Sequence, residues 1–394
     1  MSKLEELIQQ YCPDGVEYKP LKDILRIRNG RDYKHLDKGL IPVYGSGGIM
    51  TYVDTPMYSK PSVLIPRKGS IDKLYYVDTP FWNVDTVFYT EIDTSKVVEK
   101  YVYYVLQKEH LEKLNTAGGV PSLTQGVLNE VLIPVPPLPV QEEIVRILDN
   151  FAELQAELQA ELQKRLQQYE YYRDKLLSFS DLSNWGGQEV SVEWKKLGEL
   201  GVFYGGLSGK TKDDFSNGNA KFISYKNVFY NLSLNVDTDE RVKIVEGEKQ
   251  NTIQYGDILF TGSSETPDEC GMSSVLTQKI DEKLYLNSFC FGYRLHNPSL
   301  FCLDFLKHLF RSSELRKQIG KTASGTTRFN VSKKRFAEVS IPVPPLSVQK
   351  QIADILDKFY TLTADLTAGL PAEIEARRKQ YEYYRDKLLT FKQK

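Results

Sequence analysis

From Val140 to Leu177 the chain contains neither Pro nor Gly. Apolar residues recur at Ile144, Ile147, Phe151, Leu154, Leu158, Leu162, Leu166, Tyr169, Tyr172 and Leu176. Their mean step lies between the coiled-coil repeat of ~3.5 residues and the straight-helix turn of ~3.6. Glu, Gln and Ala fill much of the rest, and all favour helix. The pattern predicts one helix roughly 57 Å long. A helix with a single apolar seam needs a partner. The stretch from about Val348 to Phe391 offers one through Ile352, Ile355, Phe359, Leu362, Leu366, Leu370 and Ile374. Gly369-Leu370-Pro371 interrupts it. Pro removes a backbone donor and clashes with the preceding turn, so a kink or short break is expected, with Pro371 opening a new helical stretch. Leu154, Leu158, Leu162, Leu166, Leu362 and Leu366 are the expected seam.

The remaining chain has another texture. Residues 16–135 hold short β-rich runs, Ile41-Pro-Val-Tyr, Ser62-Val-Leu-Ile and Thr86-Val-Phe-Tyr, then a helical pattern from about Ser95 to Leu114. Residues 192–343 hold Lys221-Phe-Ile-Ser, Asp257-Ile-Leu-Phe and Ser288-Phe-Cys-Phe-Gly-Tyr, then a helical pattern from about Pro298 to Ile319. Both read as mixed α/β domains.

The chain also repeats itself. IPVPPL occupies Ile133–Leu138 and Ile341–Leu346, an offset of 208 residues. QYEYYRDKLL occupies Gln168–Leu177 and Gln380–Leu389, an offset of 212. VEYKPL at Val16 is echoed by VEWKKL at Val192, and TAGG at Thr116 by TASG at Thr322. The ends of the two copies match while their middles differ in length and sequence. One scaffold therefore presents two different surfaces. The expected fold is α+β: two α/β domains joined by two long antiparallel coiled-coil helices, with a pseudo-twofold internal repeat. The expected boundaries are 1–139 for the first domain, 140–180 for the first helix, 181–346 for the second domain and 347–394 for the second helix.

Composition narrows the function. The 394 residues carry 51 Lys plus Arg against 52 Asp plus Glu, a formal net charge of -1. That excludes a polybasic nucleic-acid coat but permits local basic patches. Cys12, Cys270, Cys290 and Cys302 form no CxxC pair and read as free, buried thiols of a reducing compartment. Neither a leader nor a long apolar run is evident, so a cytoplasmic protein without membrane contact is expected.

Catalytic patterns are poor. Gly205-Gly206-Leu207-Ser208-Gly209-Lys210-Thr211 resembles a phosphate loop, but Tyr204 stands where its first Gly should be. His35, His110, His296 and His308 lack metal-ligand spacing with one another or with Cys. Glu17-Tyr18-Lys19 and Glu193-Trp194-Lys195 have a nuclease-like form, but they sit in the repeated opening motif, where a structural role fits better. No catalytic residue and no metal ligand is expected.

At the doubled IPVPPL and QYEYYRDKLL blocks the chain resembles the DNA specificity subunit of type I restriction–modification enzymes. The likeness extends through CPDGVEYKPL at Cys12, SVLIPRKGSI at Ser62, PFWNVDTVFY at Pro80, GDILFTGSSET at Gly256 and GLPAEIEARRKQYEYYRDKLL at Gly369. The resemblance implies two target-recognition domains, each reading half of a split, asymmetric sequence in double-stranded DNA. It implies two helices that set the gap, and two methyltransferase subunits docked on them. Restriction/translocase subunits join in. The complex is then an adenine DNA methyltransferase and ATP-dependent endonuclease. The chain itself would bind no cofactor, since S-adenosylmethionine, ATP and Mg act on partner subunits. The tetrapeptides AELQ, AELQ, AELQ and KRLQ at Ala152–Gln167 match the branch in which such repeats tune the gap. Four residues add about 6 Å of helix, a little under two base pairs.

Arg and Lys beside turns are the candidates for holding phosphates and reading bases in the major groove. In the first domain these are Arg28, Arg31, Lys34, Arg67, Lys68 and Lys73. In the second they are Lys210, Lys212, Lys226, Arg328, Lys333, Lys334 and Arg335, with Arg28, Arg67 and Arg328 foremost. The repeated Tyr171, Tyr172, Arg173, Tyr383, Tyr384 and Arg385 either pack the helices or receive the methyltransferase, with packing the larger share. The competing reading is a coiled-coil scaffold that binds protein and no DNA.

Overall fold

The computed structural model describes residues 2–115, 119–179, 191–364 and 369–394. The chain forms two compact units, Met1–Gln159 with Glu373–Lys394, and Ala160–Ala372. The long helix Leu138–Leu177 begins in the first and ends in the second. It starts directly after Pro136-Pro137, and the same Pro-Pro step precedes the helix Leu346–Ala364. The last helix, Leu370–Leu388, has Pro371 in its first turn, as expected. Residues 365–368, with seam residue Leu366, lie outside the described residues, as does most of TAGG at Thr116.

The divergent middles share one topology. In the first unit the main sheet runs Leu25–Asn29, Val87–Ile92, Ser62–Pro66, Tyr75–Val77, all antiparallel. In the second it runs Gly201–Gly205, Cys290–Leu295, Ile258–Thr261, Ser273–Val275, again all antiparallel. Each unit adds a second sheet with one parallel pairing, Val43 beside Trp82 in one and Phe222 beside Tyr285 in the other. The repeated opening motif and IPVPPL close each domain as a two-stranded ladder, Lys19 opposite Ile133 and Lys195 opposite Ile341. The Glu-x-Lys motifs lie here, Glu17 paired to Lys19 at 3.1 Å and Glu193 to Lys195 at 2.9 Å.

In the first unit Glu99–Lys108 buries Tyr101, Val102, Val105 and Leu106 with Ile27, Val63, Phe88, Ile144 and Leu148. In the second, Leu303–Leu309 buries Phe305, Leu306 and Leu309 with Phe260, Phe291, Ile352 and Leu356. Burying each such side chain contributes about 1.5–3 kcal/mol. Cys12, Cys270 and Cys290 are buried free thiols, whereas Cys302 is half-buried.

Residues 208 positions apart make the same joints. Gln141 and Gln349 are both fully buried. Gln141 accepts from Val98 N at 2.8 Å and donates to Lys96 O and Pro136 O at 3.1 and 2.6 Å. Gln349 accepts from Cys302 N at 2.8 Å and donates to Leu300 O and Pro344 O at 2.9 and 2.8 Å. Asp149 accepts from Tyr104 and pairs with Lys100, while Asp357 meets Lys307 and His308. Burial holds the His308 imidazole below its usual pKa. As a neutral ring it donates from Nε2 to Asp357, 2.7 Å, and accepts the Tyr169 hydroxyl at Nδ1, 3.0 Å.

In the first unit the start of the long helix meets the end of the helix Leu370–Leu388, and in the second its end meets the helix Leu346–Ala364, an antiparallel order. Phe151 stacks on Tyr384 in the first unit and Phe359 on Tyr172 in the second, both at 5.5 Å. The distal seam departs from expectation. Ile352 is buried as expected, but Ile355 and Leu362 are exposed, and Ala353, Leu356 and Thr363 are buried in their place. The neighbouring domain rotates the buried stripe, because Leu303–Leu309 packs on this helix and competes with the partner helix for its apolar face. Thr363 tolerates burial because its hydroxyl donates to Phe359 O at 2.9 Å. Leu154, Leu158, Leu162 and Leu166 are half-buried.

Glu143 gives a pH test. Arg146 at 2.6 Å and Lys3 at 2.8 Å hold this buried carboxylate's pKa down to about 2. A depressed carboxylate pKa contributes stability above the unfolded value and loses it as pH falls through the folded one. The melting temperature should therefore drop between pH 4.5 and 2, and Glu143→Gln should flatten that segment in a thermal scan series.

Candidate nucleic-acid interface

The strand Ser62–Pro66 continues into Arg67-Lys68-Gly69, and this segment meets the chain that leads back to the frame. Leu123 N donates to Arg67 O at 2.9 Å, and Lys68 bridges Ser122. The second unit repeats the arrangement. Val331 N donates to Gly262 O at 2.9 Å, and Ser263 lies opposite Asn330. Leu123 and Val331 are one 208-residue offset apart, so Arg67 and Gly262 are equivalent positions. Each unit thus has the same edge built from different side chains.

On the first edge Arg67 lies 5.2 Å from the Phe88 ring centre and reaches Asn29 Oδ1 at 3.4 Å. Its Nε is buried without a hydrogen-bond partner among the described residues. Gln125 donates to the same Asn29 oxygen at 3.4 Å. Lys68 is exposed on this edge. Arg28 is not gathered here, since its Nη2 pairs with Glu91 at 3.0 Å. Arg31, Lys34 and Lys73 are exposed on separate segments, and Arg31 O accepts the Trp82 indole at 2.9 Å.

On the second edge Lys226 and Arg328 share a cleft of ≈ 520 Å³ with Tyr225, Tyr230 and Glu265. Tyr230 is 72% exposed. Lys333 lies over Phe291, the counterpart of Phe88, at 5.4 Å, and Arg335 donates to Ala323 O at 3.3 Å. Lys212 and Lys334 are exposed. Lys210 departs from its expected role as a DNA contact. It donates to Glu248 and to Lys243 O, both at 2.6 Å, and its side chain is only 7% exposed. Its charge fastens the loop to Glu248 and the Lys243 carbonyl. Sequence reasoning missed Asn29, Gln125, Tyr230 and Glu265. The 208-residue offset, extended past the Pro-rich block, was the signal for this edge.

On the helices, Arg173 and Arg385 lie 5.7 and 5.9 Å from the Tyr169 and Tyr381 rings and are nearly buried. Tyr172 and Tyr384 form the stacks described above. Tyr171 and Tyr383 differ, being 59% and 61% exposed. Each meets its neighbour edge-on, Tyr171 on Tyr172 at 5.3 Å and Tyr383 on Tyr384 at 5.4 Å, and stays largely open to solvent.

No described helix is long and apolar enough to cross a membrane. The family described as "Type I restriction modification DNA specificity domain" matches residues 13–168 and again 189–376. The Escherichia coli type I restriction enzyme EcoR124I/EcoR124II specificity subunit is 35% identical over 317 residues, covering 77% of this chain and 73% of that protein. A putative type I restriction enzyme specificity subunit of Haemophilus influenzae is 29% identical over 98% of both chains. Among solved structures, the type I S subunit of M. genitalium shares the fold at TM-score 0.56 and 15% identity, over 96% of this chain and 97% of that one. A chain from work on complex assembly and conformational transition of the type I system shares it at TM-score 0.59 and 16% identity, over 96% and 98%.

Proposed function

Because the chain belongs to the family of type I restriction–modification DNA specificity proteins, we propose that it reads a split, asymmetric target, one half by each unit. It carries two methyltransferase subunits to that target, with restriction/translocase subunits joining them, and performs no chemistry of its own. S-adenosylmethionine, ATP and Mg are used by those partners. The observation that supports this most is the equivalent edge in both units, one topology with unlike side chains on it. Two identical edges would suit a palindrome, and unlike edges suit unlike half-sites.

Phosphate contacts position a protein on DNA, and base-edge contacts specify the sequence. Arg67 and Lys68 in the first unit, and Lys226, Arg328, Lys333, Lys334 and Arg335 in the second, carry both tasks. Near-zero net charge is compatible with this, because local field and partner subunits supply the rest. Tyr171 and Tyr383, repeated and exposed, are the docking positions for two copies of one methyltransferase.

The test is methylome sequencing of a host expressing this chain with its methyltransferase. An interrupted, asymmetric motif is expected. An uninterrupted palindrome would overturn the reading.

A further inference from the structure

In the second unit Ser263–Ser264, Phe329–Val331 and Ala323–Ser324 form a small three-stranded ribbon at the candidate edge. Ser263 lies opposite Asn330 and Ser264 opposite Phe329. The ladder ends there; continuing its register by one step would bring Glu265 across from Arg328. Residues in such facing positions have Cβ atoms about 5 Å apart. Opposite charges placed so would ordinarily pair. Among the described residues, however, no ion pair engages either one.

Arg328 is held in another way. Its Nε donates to Ser263 Oγ at 3.1 Å, and its guanidinium carbon lies 5.5 Å from the Phe289 ring centre. These contacts orient the guanidinium and occupy Nε, leaving both Nη groups without a protein acceptor among the described residues. Glu265 is exposed, and both residues line the cleft shared with Lys226 and Tyr230. A fork of two donors therefore shares one cleft with an exposed carboxylate, at the end of a β-ribbon, an element the major groove admits. A G·C pair offers the complement there, O6 and N7 acceptors on guanine and an N4 donor on cytosine.

We propose that Arg328 and Glu265 together read one G·C base pair of the second half-site, Arg328 taking the guanine and Glu265 the cytosine. The inference rests on the DNA-reading function proposed above. In the first unit the equivalent facing positions are Ser70 and Val120, which can make no such pair of contacts. That half-site is read by other chemistry at this step.

The test uses the full chain assembled with its methyltransferase. The wild-type complex first selects its target from a randomised duplex library, and every position is then varied in binding assays. Arg328→Ala and Glu265→Ala should both relax discrimination at the same G·C pair by roughly 10- to 100-fold, with other positions unchanged. Replacing that guanine by 7-deazaguanine should weaken the wild type and leave Arg328→Ala, which has no donor to offer N7, indifferent. Folding is followed by the melting temperature of each variant, which should stay near the wild-type value because both side chains are exposed. If the variants relax different positions, or lower affinity evenly across all sequences, the inference fails while the general reading survives. If the wild-type complex selects no sequence at all, the general reading itself fails.

Discussion

Deleting one AELQ unit, Ala156–Gln159, should abolish methylation of the natural target and move activity to a target whose gap is one or two base pairs shorter. Four residues contribute about 6 Å of helix, against about 3.4 Å per base pair. Those residues turn about 40° beyond one full revolution, so Leu158 and Leu162 can exchange places with little change in the buried stripe. Folding should therefore survive, and the melting temperature of the variant should stay near that of the parent. Recognition should not survive on the old site. A half-site out of register forfeits several base contacts worth about 1–3 kcal/mol each, so the loss is on the order of 100-fold or more. Methylome sequencing of the deletion strain is the check. An unchanged gap would mean that the repeats do not act as a spacer.

The second large effect concerns stability. Gln349→Leu keeps the side-chain volume but leaves Cys302 N, Leu300 O and Pro344 O without their partner. Each unsatisfied buried group costs about 1–3 kcal/mol. A total of about 3–9 kcal/mol is a large part of the 5–15 kcal/mol typical of a folded protein. Urea unfolding should show the second unit melting early, with the first unit's transition near its parental position. Gln141→Leu should do the converse. An unchanged midpoint in both variants would show that these bonds add nothing to folding.

The sequence already displayed the features that depend on local pattern. Leu138–Leu177 was legible because it lacks Gly and Pro and keeps a steady apolar step. Pro371 announced the start of the last helix. The core strands at Ser62 and Ile258 were legible as short apolar runs. What escaped depends on partners distant in sequence. The shared sheet order is set by pairings such as Leu25 with Ile92 and Gly201 with Leu295, which no local period encodes. The helical pattern from about Ser95 resolved into Glu99–Lys108 and a tighter turn at Leu111–Leu114, with His110 in a left-handed conformation between them. Lys210 looked free because Glu248 is 38 residues away. Leu362 looked like a seam residue because helical periodicity says which residues share a face, and not which neighbour covers it.

The main-chain bonds that fasten the two candidate edges, Leu123 to Arg67 and Val331 to Gly262, make no demand on side chains. Exposed residues such as Lys68, Glu265 and Arg328 can be exchanged there at little cost to folding, since surface changes away from special features usually stay within about 0.5 kcal/mol. On the function proposed above, drift at these positions would alter which genomic words are marked long before it endangered the molecule. Such a protein can acquire new dialects by point mutation and leave its architecture intact.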